Sequence, residues 1–143
     1  MKTKEDIIRL YGSNPDKWDW YYISCLKYLS EDFIREFKYK VKWGCISYHQ
    51  KLSEDFIREF QDRVYWNNIS HKQKLSEEFI REFKDKIDLK WLSKNKYCPP
   101  DIKFKYYIDN NMLTKEDPLK HSIEEVIEKK DNSLEELKKL VGV

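Results

Sequence analysis

The chain of 143 residues has a net charge of only +2 although 38% of its residues are charged. This balance excludes a strong electrostatic field that would steer nucleic acid or a membrane to the protein. The length predicts a single domain over residues 1–143, and the aromatic content of 15% argues against a disordered chain. No apolar run approaches the roughly 20 residues needed to span a bilayer, and the first ten residues lack the apolar stretch of a secretory signal.

The first predicted element, residues 1–16, is an N-terminal cap formed by a degenerate copy of a segment that recurs later. The letters EDIIR at 5–9 align with EDFIR at 31–35. The offset between these two segments is longer by three positions than the spacing between the later copies. We therefore expect a three-residue insertion near residues 12–15.

Residues 17–97 are predicted to be tandem repeats with one fixed period. LSEDFIREF stands at 29–37 and at 52–60, and LSEEFIREF stands at 75–83, so each copy begins 23 positions after the last. Trp20, Trp43 and Trp66 keep the same spacing, and Leu89 takes the next position. A fixed period in this range is typical of a solenoid, in which each unit packs mainly on its neighbours. The sequence thus predicts an all-α solenoid of short helical hairpins closed by atypical helical caps.

The LSEDFIREF segment is predicted to form the longer helix of each hairpin. Ser30 can accept a hydrogen bond from a free amide in the first turn, and Leu29 can close over Ile34 at the hydrophobic-staple spacing. The apolar residues that follow share one helical face. In the first repeat these are Phe33, Ile34, Phe37 and Val41.

The segment that begins at each Trp is predicted to form a shorter helix of about two turns. Trp20, Ile23 and Ser24 are spaced to lie on one side of it. A helix of this length is unstable alone and must pack on its neighbours. The residue before the Trp, or before Leu89 in the last copy, is a plausible cap at Asp19 and Asp88. Lys42 and Tyr65 at the same place are not.

Residues 98–143 are predicted to form a C-terminal helical cap. Residues 98–102 (CPPDI) align as a worn copy of residues 75–79 (LSEEF). Residues 119–141 are predicted to form two short helices that are split near residues 131–133. Whether this region is only a cap or also binds a partner is left open by the sequence.

The recurring charges are best explained as ion pairs on solvated helix faces. Glu precedes a basic residue by four positions twice in each repeat, which is the more favourable orientation. The alternative is an arginine ladder that grips phosphates or acidic partners. The predicted pairs are Glu31–Arg35, Glu54–Arg58, Glu77–Arg81, Glu36–Lys40, Glu59–Arg63 and Glu82–Lys86.

The fixed aromatic residues and serines are interpreted as structural. The recurring Trp and Phe are expected in the core. Ser24, Ser47, Ser70 and Ser93 are expected to bond back to their own helices, because no His or Asp recurs at a matching place to activate them.

Positions that vary between repeats on the Trp helices are the candidates for recognition. They are rich in Tyr, Asn and His, and stacked repeats would align them as one ribbon. Tyr and Trp are typical anchors of protein interfaces, although drift on an exposed face would give the same variation. The candidate partner-binding residues are Tyr21, Tyr22, Tyr48, His49, Asn67, Asn68, His71, Lys90 and Trp91.

The repeat W-x-x-I-S…Q-K-L-S-E-D-F-I-R-E-F over residues 17–97 resembles a short tandem repeat of uncharacterised proteins from giant DNA viruses of the mimivirus kind. The insertion near residue 15, Leu89 in place of Trp and the loss of the motif after residue 97 depart from the pattern. The resemblance implies a virus-encoded repeat protein that acts in the host cytoplasm or the viral factory. It implies no enzymatic activity.

The sequence predicts a binding protein rather than an enzyme. It contains no glycine-rich phosphate loop and no His-Glu-x-x-His motif, and Cys25, Cys45 and Cys98 form no Cys-x-x-Cys pair, so neither a disulfide framework nor a zinc site is supported. No cofactor and no membrane contact are expected. We expect a monomeric or weakly self-associating scaffold that binds a viral or host protein. The alternatives are a helical repeat protein that binds single-stranded nucleic acid and a self-associating structural protein.

Overall fold

The computed structural model describes residues 1–110, apart from the side chains of Phe104 and Ile108. The predicted helices within 119–141 lie outside the described residues. Residues 1–110 form short helices without a strand, which confirms the all-α prediction. The helices are α1 Lys4–Tyr11, α2 Trp20–Cys25, α3 Glu31–Glu36, α4 Trp43–His49, α5 Glu54–Glu59, α6 Trp66–Lys72, α7 Glu77–Glu82, α8 Leu89–Ser93 and α9 Pro100–Asp109, with a 3₁₀ turn at Pro15–Lys17.

The chain divides into two compact units, Met1–Gln73 and Lys74–Val143. The division falls inside the predicted repeat region 17–97. The first unit contains α1 to α6, and the described part of the second contains α7 to α9.

The first unit is a two-layer stack of helical hairpins. In one layer α2 packs against α4, and α4 packs against α6. In the other layer, side chains link each helix to the next: Lys4 of α1 forms an ion pair with Glu36 of α3, and Arg35 of α3 contacts Glu59 of α5 at 2.8 Å. Equivalent helices therefore lie beside each other, as a solenoid requires.

Serine caps set the start of the recurring EDFIRE helices, as the sequence predicts. Ser30 Oγ accepts from the Phe33 amide at 3.2 Å, and Ser53 Oγ accepts from the Phe56 amide at 3.1 Å. The prediction that these are the longer helices is wrong. Each spans six residues, because the backbone leaves the helical conformation at Phe37 and its equivalents. Val41 is buried as predicted, but it lies in the turn after α3.

The core of the first unit is built from the recurring aromatic residues. The Phe33 and Phe56 side chains are almost fully buried. The Trp20 ring lies 5.1 Å from Phe37, and the Trp43 ring lies 4.9 Å from Phe60, measured between centroids. Packing of this kind joins α2 to the segment of α3 and its following turn, and joins α4 to the segment of α5 and its following turn.

The three tryptophans that recur at the repeat spacing are also held by hydrogen bonds from their indole nitrogens. The indole Nε1 groups of Trp20, Trp43 and Trp66 donate to the main-chain carbonyl five residues earlier in the chain, at 2.9–3.0 Å. These carbonyls lie in the turn that precedes each Trp helix. The indole rings are only partly buried, at the edge of the core.

The N-terminal helix α1 closes the first unit with a cap of its own. Thr3 and Asp6 form a reciprocal capping box, and Ile7 is fully buried at the position that aligns with Phe33. Trp18 follows the inserted segment at the position that aligns with Val41, and its Nε1 donates to the carbonyl of Gly12 at 2.8 Å. Gly12 ends α1 at a φ of 85°, which a residue with a Cβ adopts only with strain.

The described part of the second unit continues the repeat spacing. Ser76 caps α7 as Ser53 caps α5. Helix α9 begins at Pro100, one repeat period after Glu77 begins α7, and Ile102 is buried as Phe79 is. Residues 98–102 therefore take the structural place of residues 75–79, as the alignment predicts.

Candidate functional site

Two buried glutamines link consecutive hairpins of the first unit. Gln50 and Gln73 are 3% and 4% exposed. The Gln50 Nε2 donates to the carbonyls of Ser24 and Leu26, and its Oε1 accepts from the Leu29 amide. Each glutamine thus satisfies main-chain groups of the preceding hairpin, which a buried position requires.

Gln73 repeats this arrangement one period later. Its Nε2 donates to the carbonyls of Ser47 and Gln50, and its Oε1 accepts from the Leu52 amide at 3.1 Å. We call Gln50 and Gln73 with these bonds the glutamine ladder. The ladder fixes the register between neighbouring hairpins.

The recurring serines have the structural role that the sequence predicts and a second one that it does not. Ser24 Oγ donates to the Trp20 carbonyl at 2.6 Å, and Ser47 Oγ donates to the Trp43 carbonyl at 2.7 Å. The same oxygens accept the amide of the residue before the next Trp. Lys42 N–H reaches Ser24 at 2.9 Å, and Tyr65 N–H reaches Ser47 at 3.0 Å.

The recurring charges link hairpins as well as pairing within a helix. The pair Glu31–Arg35 is present at 3.7 Å. Glu31 also accepts from the amide and hydroxyl of Ser53 at 2.7 and 3.1 Å. Arg35 contacts Glu59 and lies 5.0 Å from the centroid of the Phe56 ring.

Two of the predicted pairs, Glu36–Lys40 and Glu59–Arg63, are not formed. The helices end at the glutamate, so a residue four positions later no longer lies one helical turn away. Lys40 contacts Asp16 at 2.7 Å instead. Arg63 lies 4.8 Å from the centroid of the Tyr39 ring.

A groove of about 530 Å³ opens at the first turns of α2 and α4, beside the residue that precedes α6. Its floor lies at Gly44, which takes the position that Tyr21 and Asn67 hold in the neighbouring helices. The absence of a side chain at Gly44 leaves this space open. The lining residues are Tyr21, Val41, Lys42, Trp43, Gly44, Cys45, Arg63 and Tyr65.

Exposed aromatic rings and cations border this groove. Tyr21 is 66% exposed and Tyr65 is 55% exposed. The Cζ atom of Tyr65 lies 3.9 Å from the position that a Cβ atom on Gly44 would occupy. The Tyr65 ring therefore forms one wall of the groove. Lys42 and Arg63 are the charged residues of the lining, and both are exposed.

The predicted recognition residues at the start of the Trp helices have different environments. Tyr21 lines the groove, whereas Tyr22 packs edge-on at 6.2 Å from Tyr11. Asn67 Oδ1 accepts from the Asn68 amide, and Asn68 Nδ2 donates to the Gly44 carbonyl at 3.2 Å. Asn68 thus joins α6 to α4.

The predicted residues at the end of the Trp helices lie apart from the groove lining. Tyr48 stacks edge-on against His49 with centroids 4.8 Å apart, and Lys72 of α6 lies 4.3 Å from the Tyr48 ring centroid. His71 is half-buried. Of the predicted residues, the structure thus brings Tyr21 to the groove and leaves Tyr48, His49 and His71 outside it.

The two predicted residues of the second unit, Lys90 and Trp91, lie on α8. Lys90 is exposed, and its carbonyl accepts from Ser93 Oγ at 2.8 Å. Trp91 is half-buried, with Lys94 5.0 Å from its ring centroid.

Sequence reasoning missed Tyr65, Arg63 and Lys42 because it considered only residues after each Trp. A usable signal was present. Lys42 and Tyr65 share the position directly before the Trp, which differs between repeats, whereas Arg63 stands at a position that is basic in each repeat. The recurrence of Gln50 and Gln73 at the spacing of the repeat was a signal for the ladder.

Among the residues that the structure describes, no group of three or more His, Cys, Asp or Glu side chains is placed to hold a metal ion. No helix within 1–110 is both long enough and apolar enough to cross a membrane. Comparisons with protein-family models, with curated proteins and with solved structures found no match. The resemblance to giant-virus repeats therefore stays a prediction from the sequence.

Proposed function

We propose that this protein is a non-catalytic scaffold that binds an extended, acidic segment of another protein in the groove beside Gly44. The partner is a viral or host protein in the cytoplasm of the infected cell, as the resemblance to virus-encoded repeats implies. The bound segment contributes aspartate or glutamate and at least one large apolar side chain.

The observation that carries this proposal is the composition of the groove lining. Tyr21 and Tyr65 supply exposed aromatic surface on two walls, and Lys42 and Arg63 supply the positive charge of the lining. Tyrosine and arginine are enriched at the energetic centres of protein interfaces. Charge complementarity selects an acidic partner and suppresses basic ones.

The dimensions of the groove are compatible with a bound peptide segment. A volume of about 530 Å³ accommodates a few side chains. Hydrogen bonds hold two main-chain groups of the lining: the Tyr65 amide donates to Ser47 Oγ, and the Gly44 carbonyl accepts from Asn68 Nδ2. The main chain of the site therefore loses little conformational entropy when a ligand binds.

The test is selection of peptides from a random displayed library, followed by measurement of Kd for the selected sequences. We expect acidic sequences with an aromatic or large aliphatic residue. Tyr21→Ser and Arg63→Glu should each weaken binding by about tenfold or more, as expected for central interface residues.

Two pairs of variants serve as matched controls. Gly44→Leu fills the groove without removing a contacting side chain and should abolish binding, whereas Gly44→Ala meets only ordinary contacts and should retain it. Tyr48→Ser changes a partly exposed tyrosine that does not line the groove and should leave Kd unchanged. Equal loss for Tyr48→Ser and Tyr21→Ser would contradict the proposal and favour the whole predicted ribbon.

Single-stranded nucleic acid is the second candidate for this groove, since tyrosines beside Lys42 and Arg63 form the combination that stacks bases and contacts phosphates. The two candidates differ in their response to salt. Binding to nucleic acid weakens steeply as salt concentration rises. Capture from infected-cell lysate with and without nuclease, at low and high salt, separates them. A large self-assembled species without a bound partner would favour a structural role.

A further inference from the structure

We propose that Cys25 and Cys45 form a reversible disulfide that fastens α2 to α4 within the first unit. The cysteine count and spacing gave no reason to expect a disulfide. The packing of the helices supplies one, because it brings together two thiols that are 20 residues apart in the chain.

The geometry of the two thiols carries this inference. Cys25 is the last residue of α2, and Cys45 is the third residue of α4. Cys25 Sγ donates to Cys45 Sγ at 2.7 Å. A disulfide has an S–S distance of about 2.05 Å, so the sulfur atoms need to approach by only about 0.7 Å.

Both cysteines are accessible to a small reagent, since each is a free thiol and is partly exposed. Cys45 lines the open groove beside Gly44. The third cysteine, Cys98, is a free thiol in the second unit. It provides an internal comparison for the reaction.

The reaction is thiol–disulfide exchange with a low-molecular-weight disulfide such as oxidised glutathione. The thiolate of one cysteine attacks the disulfide, forms a mixed disulfide and releases one reduced glutathione. The thiolate of the other cysteine then attacks the protein sulfur of the mixed disulfide and releases the second. Two protein thiols lose their protons and two electrons, and the oxidant becomes two thiols.

The surroundings of Cys25 disfavour the thiolate form of this residue. Burial raises the pKa of the Cys25 thiol to about 11, and the hydrogen bond to Cys45 contributes to the same shift. Exchange requires a thiolate, and only a small fraction of Cys25 is in the thiolate form at neutral pH.

The experiment uses the full chain, reduced and then equilibrated with defined ratios of oxidised to reduced glutathione. Remaining thiols are alkylated, and intact mass and linked peptides are measured. We expect a monomer that has lost two hydrogen atoms, with residues 25 and 45 in the linked peptides and Cys98 alkylated. Complete alkylation of all three cysteines at every ratio, or covalent dimers alone, would overturn the proposal.

Single-cysteine variants test the two steps of the exchange separately: formation of the mixed disulfide and its resolution by the second thiol. Cys25→Ser should accumulate a mixed disulfide at Cys45, because no second thiol resolves it. Cys98→Ser should form the internal disulfide as the unchanged chain does. If Cys25→Ser does not fold, Cys45→Ser replaces it, and the mixed disulfide should then accumulate at Cys25.

A stability measurement tests the fastening of α2 to α4 without a variant. A disulfide that closes a loop of this length raises the unfolding midpoint of a small domain by at least about 5 °C. We expect the oxidised chain to show this rise and to lose it on addition of dithiothreitol. An unchanged midpoint in the fully oxidised chain would contradict the proposed role.

Discussion

At the scale of single residues, the buried amides of Gln50 and Gln73 hold the hairpins in register. Each side chain bonds two carbonyls and one amide of the preceding hairpin. A buried polar group without partners costs about 1–3 kcal/mol. The glutamine ladder therefore favours one register over any slipped alternative.

Replacement of Gln73 by methionine tests this role. Gln73→Met keeps the length of the side chain but leaves the Leu52 amide without its partner. We expect the free energy of unfolding to fall by about 2–4 kcal/mol, measured by urea denaturation, with faster hydrogen exchange at Leu52. Gln61→Met is the control, since Gln61 is only partly buried and should change stability by less than about 0.5 kcal/mol. Equal effects at Gln61 and Gln73 would contradict the role.

Residue roles were predictable from the sequence where the partner lies close in the chain. The caps of Ser30 and Ser53 and the helix bonds of Ser24 and Ser47 follow from spacing alone. The partners of Gln50 and Glu31 lie in neighbouring hairpins, far from them in the chain. Their recurrence is visible, but their bonds depend on how the hairpins stack.

At the scale of elements, each helix is too short to be stable alone and depends on its caps and neighbours. Asp19 caps α2 and Asp88 caps α8 through their side chains. Lys42 and Tyr65 provide no side-chain cap to α4 and α6. The sequence predicts this difference correctly.

The substitution Lys42→Asp supplies the missing cap of α4. The backbone at Lys42 has φ −91° and ψ 101°, close to φ −74° and ψ 93° at Asp19. We expect a gain of about 0.5–1.5 kcal/mol in unfolding free energy from the cap and the helix dipole. Lys42→Ala removes the same charge without adding a cap and should give no gain. Identical denaturation curves for the two variants would contradict the argument.

Helix α1 should lose stability in acid through its capping box. The Thr3 amide donates to Asp6 at 2.9 Å, and this bond lowers the pKa of the Asp6 carboxyl. A lowered pKa means that the stabilisation is complete above the ordinary value of about 3.9 and is lost as pH falls through the folded-state value. We expect the protection factors of the α1 amides, which are exchange rates corrected for the intrinsic pH dependence, to fall over that range when measured by NMR.

Asp6→Asn separates this effect from general acid unfolding. The variant cannot titrate at residue 6, so the protection factors in α1 should be lower at neutral pH and should not change over the same pH range. An unchanged acid response in Asp6→Asn would assign the effect to other carboxyl groups.

At the scale of the whole molecule, equivalent positions in the first unit make equivalent contacts. The bond of Ser24 to Lys42 recurs one repeat period later as the bond of Ser47 to Tyr65, and the bonds of Gln50 recur in the same way at Gln73. One hairpin can therefore be removed if the remaining ones keep their register.

Deletion of residues 43–65 tests this property. The deletion joins Lys42 to Trp66, so Gln73 takes the place of Gln50 beside Leu29. We expect a folded, helical chain that unfolds cooperatively at a lower temperature, measured by circular dichroism. Deletion of residues 43–62 removes three residues fewer than one repeat period, so Gln73 no longer aligns with the place of Gln50. We expect this variant to lose the folded structure of the first unit. Equal behaviour of the two deletions would contradict a register fixed by the repeat.

The fixed period of the repeat was sufficient to predict the stack of helical hairpins, because identical segments fold alike and pack alike. The groove was not predictable in the same way. It depends on a missing side chain at Gly44 and on Tyr65 and Arg63, which approach it only after the hairpins stack. The predicted ribbon grouped residues by their position in the repeat, whereas the structure groups them by their distance from Gly44.

The bonds of the glutamine ladder run from each hairpin to the preceding one, and this has a consequence for how the number of repeats can change in evolution. Each amide side chain reaches back to main-chain groups, and main-chain groups are present whatever the side chains are. An in-frame duplication of one period in the coding DNA would bring its own glutamine and serine, and the preceding hairpin would already offer their partners. Such a lineage can gain or lose length in a single genetic event, and the copies can then diverge at the positions that do not contribute to the stack.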